Sequence, residues 1–463
     1  MKKIMIFVAA MILFGGCGVY NKYERPEVDT KGLIRDAVSD VDTLVVAPQD
    51  TASFGNLPWR SIFKDPLLQT LIERGLQKNA NLQNAALTVQ MYEVMLKAAK
   101  LAFLPAINFG GNSVGYIQTL YTDPSQTLKS YTFPMTASWT LDLFGNILSQ
   151  KRSTQMKLLG FKDYQMAVRA QVISGIANSY YTLLMLDEQL RIATEMSGMA
   201  KETWEMMKLQ YQLGRIRSTG VQSAEAAYLS TQTQINEFKR QIRATENALS
   251  LLIGQAGQQI PRSTLAEQSL PTEFSTGVGM ALLKNRPDVH NAEMQLASCF
   301  HDVQTARSKF YPTISVGFTG SFGNSGGTLN PGKWLTNLFG NLTQPIFNRG
   351  ALTANLKVSK IQYEQAFNTW QNAILSAGNE VSNALVNYNS YDRNSKLEAQ
   401  RVEILAKSVE DTRALYKSSG SSYLEVLTAQ TQLLNAQLNK VNNDFAKMQT
   451  VVSLYTALGG GGK

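Results

Sequence analysis

The chain has 463 residues, of which 17% are charged, and a formal net charge of +9 at pH 7. Soluble domains average about 25% charged residues, so the composition is unusual for a soluble protein. The lysines and arginines form no dense block with interleaved aromatic residues, which argues against nucleic-acid binding. Two cysteines cannot build a disulfide framework, and two histidines without cysteine spacing predict neither a metal site nor a cofactor.

The N-terminus is predicted to be an export signal. Two lysines precede an apolar run from Ile4 to Phe14, which is too short to span a bilayer as a helix and has the length of a signal-peptide core. Leu13 to Cys17 then looks like a bacterial lipoprotein box, in which Cys17 would become the acylated first residue. The alternative is an ordinary secretory signal with an incidental cysteine. Residues 1–16 are therefore predicted to be a signal peptide, and residues 17–64 an extended segment.

A helix is predicted to begin at Asp65 and Pro66, because Asp is a favourable N-cap and Pro is tolerated at the first helical position. The helical pattern runs to Phe103 and stops at Pro105. Residues 106–118 follow as a Gly-rich, extended stretch.

The segment Tyr131–Leu143 alternates strictly, with apolar residues at odd positions and polar residues or proline at even positions. Successive side chains of a strand point to opposite faces, so this pattern predicts a strand with one apolar and one polar face. It fits a half-buried strand of a soluble sheet or a membrane-spanning strand. Thr313 to Gly323 alternates in the same way, and a less regular strand is predicted from Trp334 to Phe347. Pro134 has no N–H to donate, which predicts a position near the start of the strand or at a bulge.

Two long stretches of the chain contain no proline. The first runs from Pro134 to Pro261 and is interrupted only by a turn sequence at residues 213–220, which predicts two long helices joined by a tight turn. A helix of about 65 residues is roughly 100 Å long, thicker than an ordinary globular core, and this length favours a coiled-coil hairpin. The second stretch reaches the C-terminus and is interrupted at residues 418–421. Its last part, from Leu424 to Tyr455, has alternating three- and four-residue apolar spacing, as a coiled coil or a closely similar amphipathic bundle helix requires.

The two halves of the chain share several motifs in the same order, about 205 residues apart, which indicates an internal duplication. Phe103-Leu104-Pro105 corresponds to Phe310-Tyr311-Pro312, and Tyr211 corresponds to Tyr416. The predicted organisation is a first repeat at 65–256, a linker at 257–286, a second repeat at 287–459 and a tail at 460–463.

Each repeat supplies two predicted strands, and four strands cannot close into a barrel by themselves. Open sheet edges are excluded from hydrocarbon, so membrane-spanning strands would have to come from several chains. Two copies would give eight strands and three would give twelve, and a lumen wide enough for solutes favours three. The polar faces would then line the channel; they comprise Thr132, Thr136, Ser138, Thr140, Thr313, Ser315, Thr319 and Ser321.

No motif of an enzyme is present: the sequence contains no nucleophile elbow, phosphate-binding loop or zinc-protease helix. Two other classes of protein also have long helical hairpins. A periplasmic adapter lipoprotein would lack the two duplicated strand pairs, and a soluble coiled-coil scaffold would not need strands with one apolar face.

Several stretches together carry a family resemblance. They are Tyr23–Glu27, Asn285–Val289, Ala306–Ser315, Leu342–Gly350, Tyr423–Gln430 and Tyr455–Gly461. On these stretches the chain resembles the TolC-like outer-membrane efflux channels, most closely the lipoprotein branch that serves resistance-nodulation-division pumps.

The resemblance implies an α+β membrane protein without cofactor or enzymatic activity. It implies a homotrimer with a 12-stranded β-barrel in the outer membrane, continued into the periplasm by a long α-helical coiled-coil barrel. Residues 257–286 and the chain ends would form an equatorial collar, and acylated Cys17 would anchor the chain to lipid. The implied function is passive export of small molecules that an inner-membrane pump and a periplasmic adapter deliver.

The resemblance also implies roles for residues at the two hairpin turns. The adapter-contact tips would be Leu213, Gly214, Arg215, Ser418, Ser419 and Gly420, although glycines also serve ordinary helix turns. Near these tips the family closes its tunnel, often with rings of acidic residues. Glu425 falls on one such position, where the alternative is a solvated helix carboxylate, and Thr428 falls where relatives often carry a second acid. Tyr416 matches a tyrosine that can tether the closed state, but its usual acidic partner matches Gly220 in this chain.

Overall fold

The computed structural model describes residues 21–28, 54–109, 113–118, 127–271, 286–325, 334–346, 348–417 and 423–462. The described helices are α1 (Trp59–Ile62), α2 (Pro66–Lys78), α3 (Ala80–Leu101), α4 (Asn146–Gln212), α5 (Ser218–Leu252), α6 (Pro287–Ser308), α7 (Ala351–Lys417) and α8 (Tyr423–Ala457). The described strands are β1 (Ala106–Phe109), β2 (Ser113–Gln118), β3 (Thr127–Leu141), β4 (Thr313–Ser325) and β5 (Trp334–Thr343).

The helices of the two halves match in length. Helices α3 and α6 each have 22 residues, α4 and α7 each have 67, and α5 and α8 each have 35. This agreement confirms the predicted duplication and the two predicted long hairpins. Within each hairpin, however, only the first helix has the expected length of about 65 residues, and it is nearly twice as long as the second.

The first predicted helix begins as expected but is divided in two. The Asp65 side chain accepts a hydrogen bond from the Leu67 N–H at 2.9 Å, with Pro66 as the first helical residue. The helix then ends at Asn79, whose extended backbone breaks the ladder. The Asn79 side chain accepts hydrogen bonds from the N–H groups of Asn81 and Leu82, so Asn79 also caps the start of α3.

The strands form one antiparallel sheet. Both β1 and β2 pair with β3, β3 pairs with β4 and β4 pairs with β5, so β1 and β2 occupy one strand position and the chain contributes four strands, as predicted. The bounds differ in detail from the sequence prediction. Strand β3 begins at Thr127 rather than at Tyr131, and β5 ends at Thr343 rather than at Phe347.

The register of the sheet places polar residues opposite polar residues and apolar residues opposite apolar residues. Thr140 lies opposite Ser315, and Thr136 lies opposite Thr319, whereas Trp139 lies opposite Val316. Polar positions therefore share one face of β3 and β4, and apolar positions share the other. Because a one-residue slip would have mixed the two faces, this register is the one that the alternating pattern requires.

Pro134 lies in the middle of β3, not near its start. Next to it the pairing with the first strand changes by one residue. Phe109 pairs with Met135, but Ser113 pairs with Thr132, so the registers of β1 and β2 against β3 differ by one residue. Residues 110–112 lie outside the described residues, so the placement of Pro134 at a bulge stays a prediction.

The described chain divides into two compact units, and each contains parts of both repeats. The first unit comprises residues 1–28, 88–162 and 291–372 and holds all five strand segments. The second comprises residues 29–87, 163–290 and 373–463. Its large apolar core includes the fully buried side chains of Phe63, Leu68, Ile176, Tyr180 and Tyr455. The boundaries predicted for the repeats and the linker stay a prediction.

None of the described helices has the length and apolarity needed to cross a bilayer.

Candidate channel and gate

The polar face of the sheet carries hydroxyl groups and no charge at the predicted positions. Ser138, Thr140 and Thr313 are exposed, and Thr136 and Ser315 are half-exposed. For Thr132, Thr319 and Ser321 only the backbone is described, and the register puts these positions on the same face. The structure thus brings the eight predicted lining positions together on one neutral, hydrogen-bonding surface.

The opposite face of the sheet is apolar, and several of its described side chains are exposed. Its exposed side chains include Ile107, Phe109, Trp139, Val316 and Leu342. The Trp139 indole N–H donates to the Phe103 carbonyl at 2.9 Å, which satisfies the polar atom while leaving the ring on the surface. A continuous apolar face of this kind is suited to lipid.

The first hairpin tip is a turn whose geometry requires glycine. Gly214 has a φ of +70°, in the left-handed region, and its N–H donates to the Tyr211 carbonyl at 2.9 Å. The Arg215 N–H donates to the Gln210 carbonyl at 2.9 Å. These two bonds form a Schellman motif, which ends α4 and turns the chain toward α5. The predicted tip residues Ser418, Ser419 and Gly420 of the second hairpin lie outside the described residues, as does Cys17.

Tyr416 has a hydrogen-bond partner that sequence reasoning missed. Its O–H donates to the side-chain oxygen of Gln210 at 2.8 Å and lies 3.3 Å from the Met207 sulfur. Burial raises the pKa of Tyr416, so the phenol stays a donor at neutral pH. Gly220, at the position of the usual acidic partner, packs instead against Met207.

An ion pair lies beside this hydrogen bond. The Arg413 guanidinium contacts the Glu202 carboxylate at 2.7 Å, one turn of α7 before Tyr416. Both contacts join α7 to α4, and together we call them the α4–α7 latch. No periodicity could have indicated them, because each pair is separated by more than 200 residues in sequence.

Glu425 and Thr428 lie one turn apart at the start of α8, and both are exposed. A carboxylate in the first turn of a helix interacts favourably with the helix dipole, which is the ordinary structural role of Glu425. Deeper in the same region, the buried Gln430 side chain donates to the Thr203 hydroxyl on α4 at 3.3 Å.

The motif around Arg286 holds the second unit together. Arg286 is buried and contacts the carboxylates of Asp288 and Glu380 at 2.6 and 2.7 Å. It also donates to the Ala457 carbonyl at the end of α8, at 2.9 Å. The stretch that carried part of the family resemblance is therefore a structural clamp on the end of the last helix.

The short N-terminal stretch around Tyr23 and Arg25 packs onto the first unit. The Tyr23 ring lies edge-on to Phe300 at 5.8 Å, and Arg25 contacts the nearly buried Glu293 at 3.1 Å. Arg25 also lies over the Trp370 ring, 5.5 Å from its centroid. These contacts hold Tyr23 and Arg25, which follow Cys17 by a few residues in the sequence, against the first unit.

His301 and Cys299 are two further residues with ionisable side chains. Cys299 is a half-buried free cysteine, and burial raises the pKa of its thiol. Burial is the main reason that the pKa of His301 falls to about 4, so the ring is neutral at physiological pH. Among the described residues, no three His, Cys, Asp or Glu side chains are grouped closely enough to hold a metal ion.

Comparison with known proteins gives a consistent result. The chain matches the model of the family described as outer membrane efflux protein at residues 71–255 and 279–460. It is 28% identical over 462 residues to the cation efflux system protein CusC of Escherichia coli O157:H7, covering 99% of this chain and 98% of that protein. It is 25% identical over 465 residues to the probable outer membrane lipoprotein SilC of Salmonella typhimurium, covering 99% of both. A solved structure of CusC superimposes with a TM-score of 0.84 at 27% identity, covering 96% of this chain and 100% of that one.

Proposed function

Because the chain belongs to the outer membrane efflux protein family and is a non-enzymatic outer-membrane efflux channel, we propose that three copies form the exit duct of a tripartite pump. An inner-membrane pump of the resistance-nodulation-division class and a periplasmic adapter deliver small molecules, which leave the cell passively through the lumen. The observation that carries this proposal is the sheet with one neutral hydroxyl face and one exposed apolar face.

Closure of the sheet supports assembly from several copies. The strand position of β1 and β2 and the strand β5 are the two edges of the described sheet. Open edges cannot exist in hydrocarbon, and four strands cannot pair with themselves into a barrel. Three copies provide twelve strands and a lumen wide enough for solutes, with the hydroxyl face inward and the apolar face toward lipid.

Helix α7 also supports assembly from several copies. Leu375, Val386, Leu397 and Ile404 are separated by 11, 11 and 7 residues, which places them on one face of the helix. All four are exposed, Ile404 by 69%. A different face of α7, with the buried Val409, packs within the chain. The exposed apolar stripe is therefore assigned to a neighbouring copy.

The closed state of the channel is assigned to the hairpin ends. The α4–α7 latch holds the two longest helices of one chain together where the tunnel narrows. Three copies of Glu425 around the axis would form a ring of negative charge, which favours cations and resists anions. Thr428 contributes no second ring of negative charge. Gly220 has no side chain that could accept a hydrogen bond, so Gln210 takes the place of the usual acidic partner of Tyr416.

The membrane anchor is assigned to Cys17. Its lipoprotein-like sequence context and the printed name of SilC support acylation. Tyr23 and Arg25, which follow Cys17 in the sequence, pack on α6 and α7 within the first unit, the unit that also contains the strands. Adapter contact is assigned to Leu213, Gly214 and Arg215, together with Ser418, Ser419 and Gly420.

The other classes of protein are excluded by family membership: the chain is neither a periplasmic adapter nor a soluble scaffold. Cargo selection is assigned to the inner-membrane pump, because the polar positions on this face of the sheet are neutral hydroxyl and amide residues. CusC is named for cation efflux, and a Glu425 ring would allow such cargo without requiring it.

The test uses protein extracted from outer membranes in mild detergent. Its mass should correspond to three protein chains, and in planar lipid bilayers it should conduct ions with a preference for cations. Glu425→Gln should reduce that preference without changing the mass. A monomeric mass or a lack of conductance would refute the channel assembly, and unchanged selectivity in the variant would refute the carboxylate ring alone.

A further inference from the structure

The tip of the first hairpin presents a small, mixed surface to solution. In this turn the side chains of Tyr211, Leu213, Arg215 and Arg217 are all exposed, Leu213 by 60%. Ile216, by contrast, is partly buried. We call the four exposed side chains the tip surface. Two guanidinium groups therefore stand beside two large apolar side chains on a turn that the Schellman motif holds rigid.

The charge of the tip surface is not balanced within the chain. No Asp or Glu occurs between Glu205 and Glu225, although this stretch contains Lys208, Arg215 and Arg217. Among the residues that the structure describes, neither arginine forms an ion pair. Glu202 and Glu205 already contact Arg413 and Lys201.

Arg217 is also placed against the electrostatic preference of α5. It is the residue immediately before the first turn of that helix, which contains no acidic side chain. Cations are unfavourable at the positive end of a helix dipole, so Arg217 costs stability here, whereas Arg215 follows the C-terminal end of α4, where a cation is favourable. A local choice that costs stability on an exposed turn is expected where another molecule supplies the compensation.

We propose that the tip surface binds a carboxylate-bearing protein turn, and that the adapter which meets this channel presents acidic residues beside an apolar side chain at its own hairpin end. This inference rests on the proposed function and adds the charge class of the partner. Arginine makes paired hydrogen bonds with a carboxylate, and tyrosine and arginine are enriched at protein interfaces.

A protein partner fits the tip surface better than an anionic membrane. Electrostatic binding to lipid headgroups needs clusters of four to eight cationic residues, as a rule of thumb. Each tip surface has two, beside the exposed Leu213 and Tyr211, and the six arginines of a trimer would be divided among three separate turns. In a trimer the pattern is repeated three times around the axis, so weak contacts at each tip add through multivalency.

The test measures binding of synthetic helical hairpins to the detergent-extracted channel. The hairpins are joined as trimers and differ only in the turn, which carries Glu-Leu-Gly-Glu, Gln-Leu-Gly-Gln or Lys-Leu-Gly-Lys. The glutamate hairpin should bind most tightly and lose affinity as salt is raised, because the contact is between exposed charges. The double variant Arg215→Glu, Arg217→Glu should weaken that binding at least about tenfold and should bind the lysine hairpin instead.

The matched control is Arg243→Glu, an exposed arginine farther along α5, which should leave binding unchanged. Equal binding of the glutamine and glutamate hairpins, or no binding of either, would overturn the proposal. Binding of the channel to phosphatidylglycerol vesicles that the double variant abolishes, without binding of the glutamate hairpin, would assign the arginines to lipid. The mass of the same samples reports on the channel assembly separately, since it does not depend on charge at the tip.

Discussion

Single residues decide where the helices of this chain end. Gly214 ends α4 because it can adopt the left-handed backbone that the turn requires. Asn79 ends one helix and caps the next with the same side chain. Asp65 caps α2 and also accepts hydrogen bonds from Tyr180, Ser263 and Gln268, so one carboxylate joins the helix, α4 and the segment after α5.

Gly214→Ala should destabilise the hairpin tip by about 1 kcal/mol, because an L side chain is disfavoured in the left-handed region. No neighbouring atom lies within 4 Å of the added methyl group, so the cost is that of the backbone alone. Gly198→Ala is the matched control: that position is inside α4, is equally open and should gain up to about 1 kcal/mol. Hydrogen exchange of the amides near each site measures the two effects, and equal signs would contradict the explanation.

Asp65 should make the second unit sensitive to acid. Burial pushes its pKa up, but the hydrogen bonds from Ser263, Tyr180 and Gln268 outweigh burial and leave the pKa below its usual value. A carboxyl group whose pKa is lower in the folded state contributes stability above its unfolded pKa and loses it as the pH falls through the folded pKa. Burial raises the pKa of Tyr180 to about 12, so this partner remains a donor throughout.

Asp65→Asn should therefore lower the melting temperature at pH 7 and reduce the loss of stability between pH 5 and lower values. The asparagine can still accept the capping hydrogen bond from Leu67, so α2 should still form. Melting curves followed by circular dichroism at several pH values measure both changes. An identical pH dependence in the variant and the wild type would show that Asp65 does not account for the acid sensitivity.

At the scale of elements, the two hairpins are related by duplication but differ in what their ends contact. Helices α4 and α7 have the same length, and the α4–α7 latch joins them near their C-terminal ends. Gln210 takes part in both the hairpin turn and the α4–α7 latch. Its backbone carbonyl accepts from Arg215 in the hairpin turn, and its side chain accepts from Tyr416 in the latch. A movement of the tip would therefore act directly on the latch.

Tyr416→Phe should weaken the latch, because it removes the O–H while keeping the ring. An exposed or half-buried neutral hydrogen bond contributes about 1 kcal/mol, so the open state should become several-fold more populated. Longer or more frequent open events in planar-bilayer recordings would measure this change. Arg413→Gln should act in the same direction, whereas Arg401→Gln, which removes an exposed pair with Glu398 farther up α7, should have no effect. Unaltered gating in the Tyr416 and Arg413 variants would reject the latch.

At the scale of the whole molecule, the faces of α7 indicate how copies assemble. Val402 and Val409 face the core of their own chain, and Lys396, Glu403 and Glu410 repeat every seven residues on a second, charged face. Leu397 and Ile404 lie on a third face, which is apolar and exposed. A helix with two apolar seams and one charged face is suited to a closed ring of helices, where each copy contacts two neighbours.

Leu397→Asp combined with Ile404→Asp should prevent formation of the trimer while leaving each chain folded. Charges on an apolar interface lose hydration without gaining partners, and this cost is repeated at each of the three contacts. The matched control is Ala406→Asp, an exposed residue on the opposite side of α7. Native mass measurement in detergent should give single chains for the double variant and trimers for the control. A trimeric double variant would move the contact between copies to another surface.

The sequence alone determined the features that depend on local periodicity or on repeated motifs. The alternation in Tyr131–Leu143 predicted a two-faced strand, the proline-free stretches predicted the long hairpins, and the spacing of motifs predicted the duplication. These patterns are readable because strand and helix periods are properties of neighbouring residues. The four-strand count then predicted assembly from several copies, which stays a proposal.

The tertiary structure decided what depends on residues far apart in the chain. It set the register that aligns Thr140 with Ser315, the pairing of Tyr416 with Gln210, and the contact of Arg286 with the end of α8. The break at Asn79 also needed the structure, because asparagine is tolerated inside helices and only its capping hydrogen bonds show that it ends one. In each case the partner is chosen by packing of distant elements, and single-sequence periodicity contains no information about that choice.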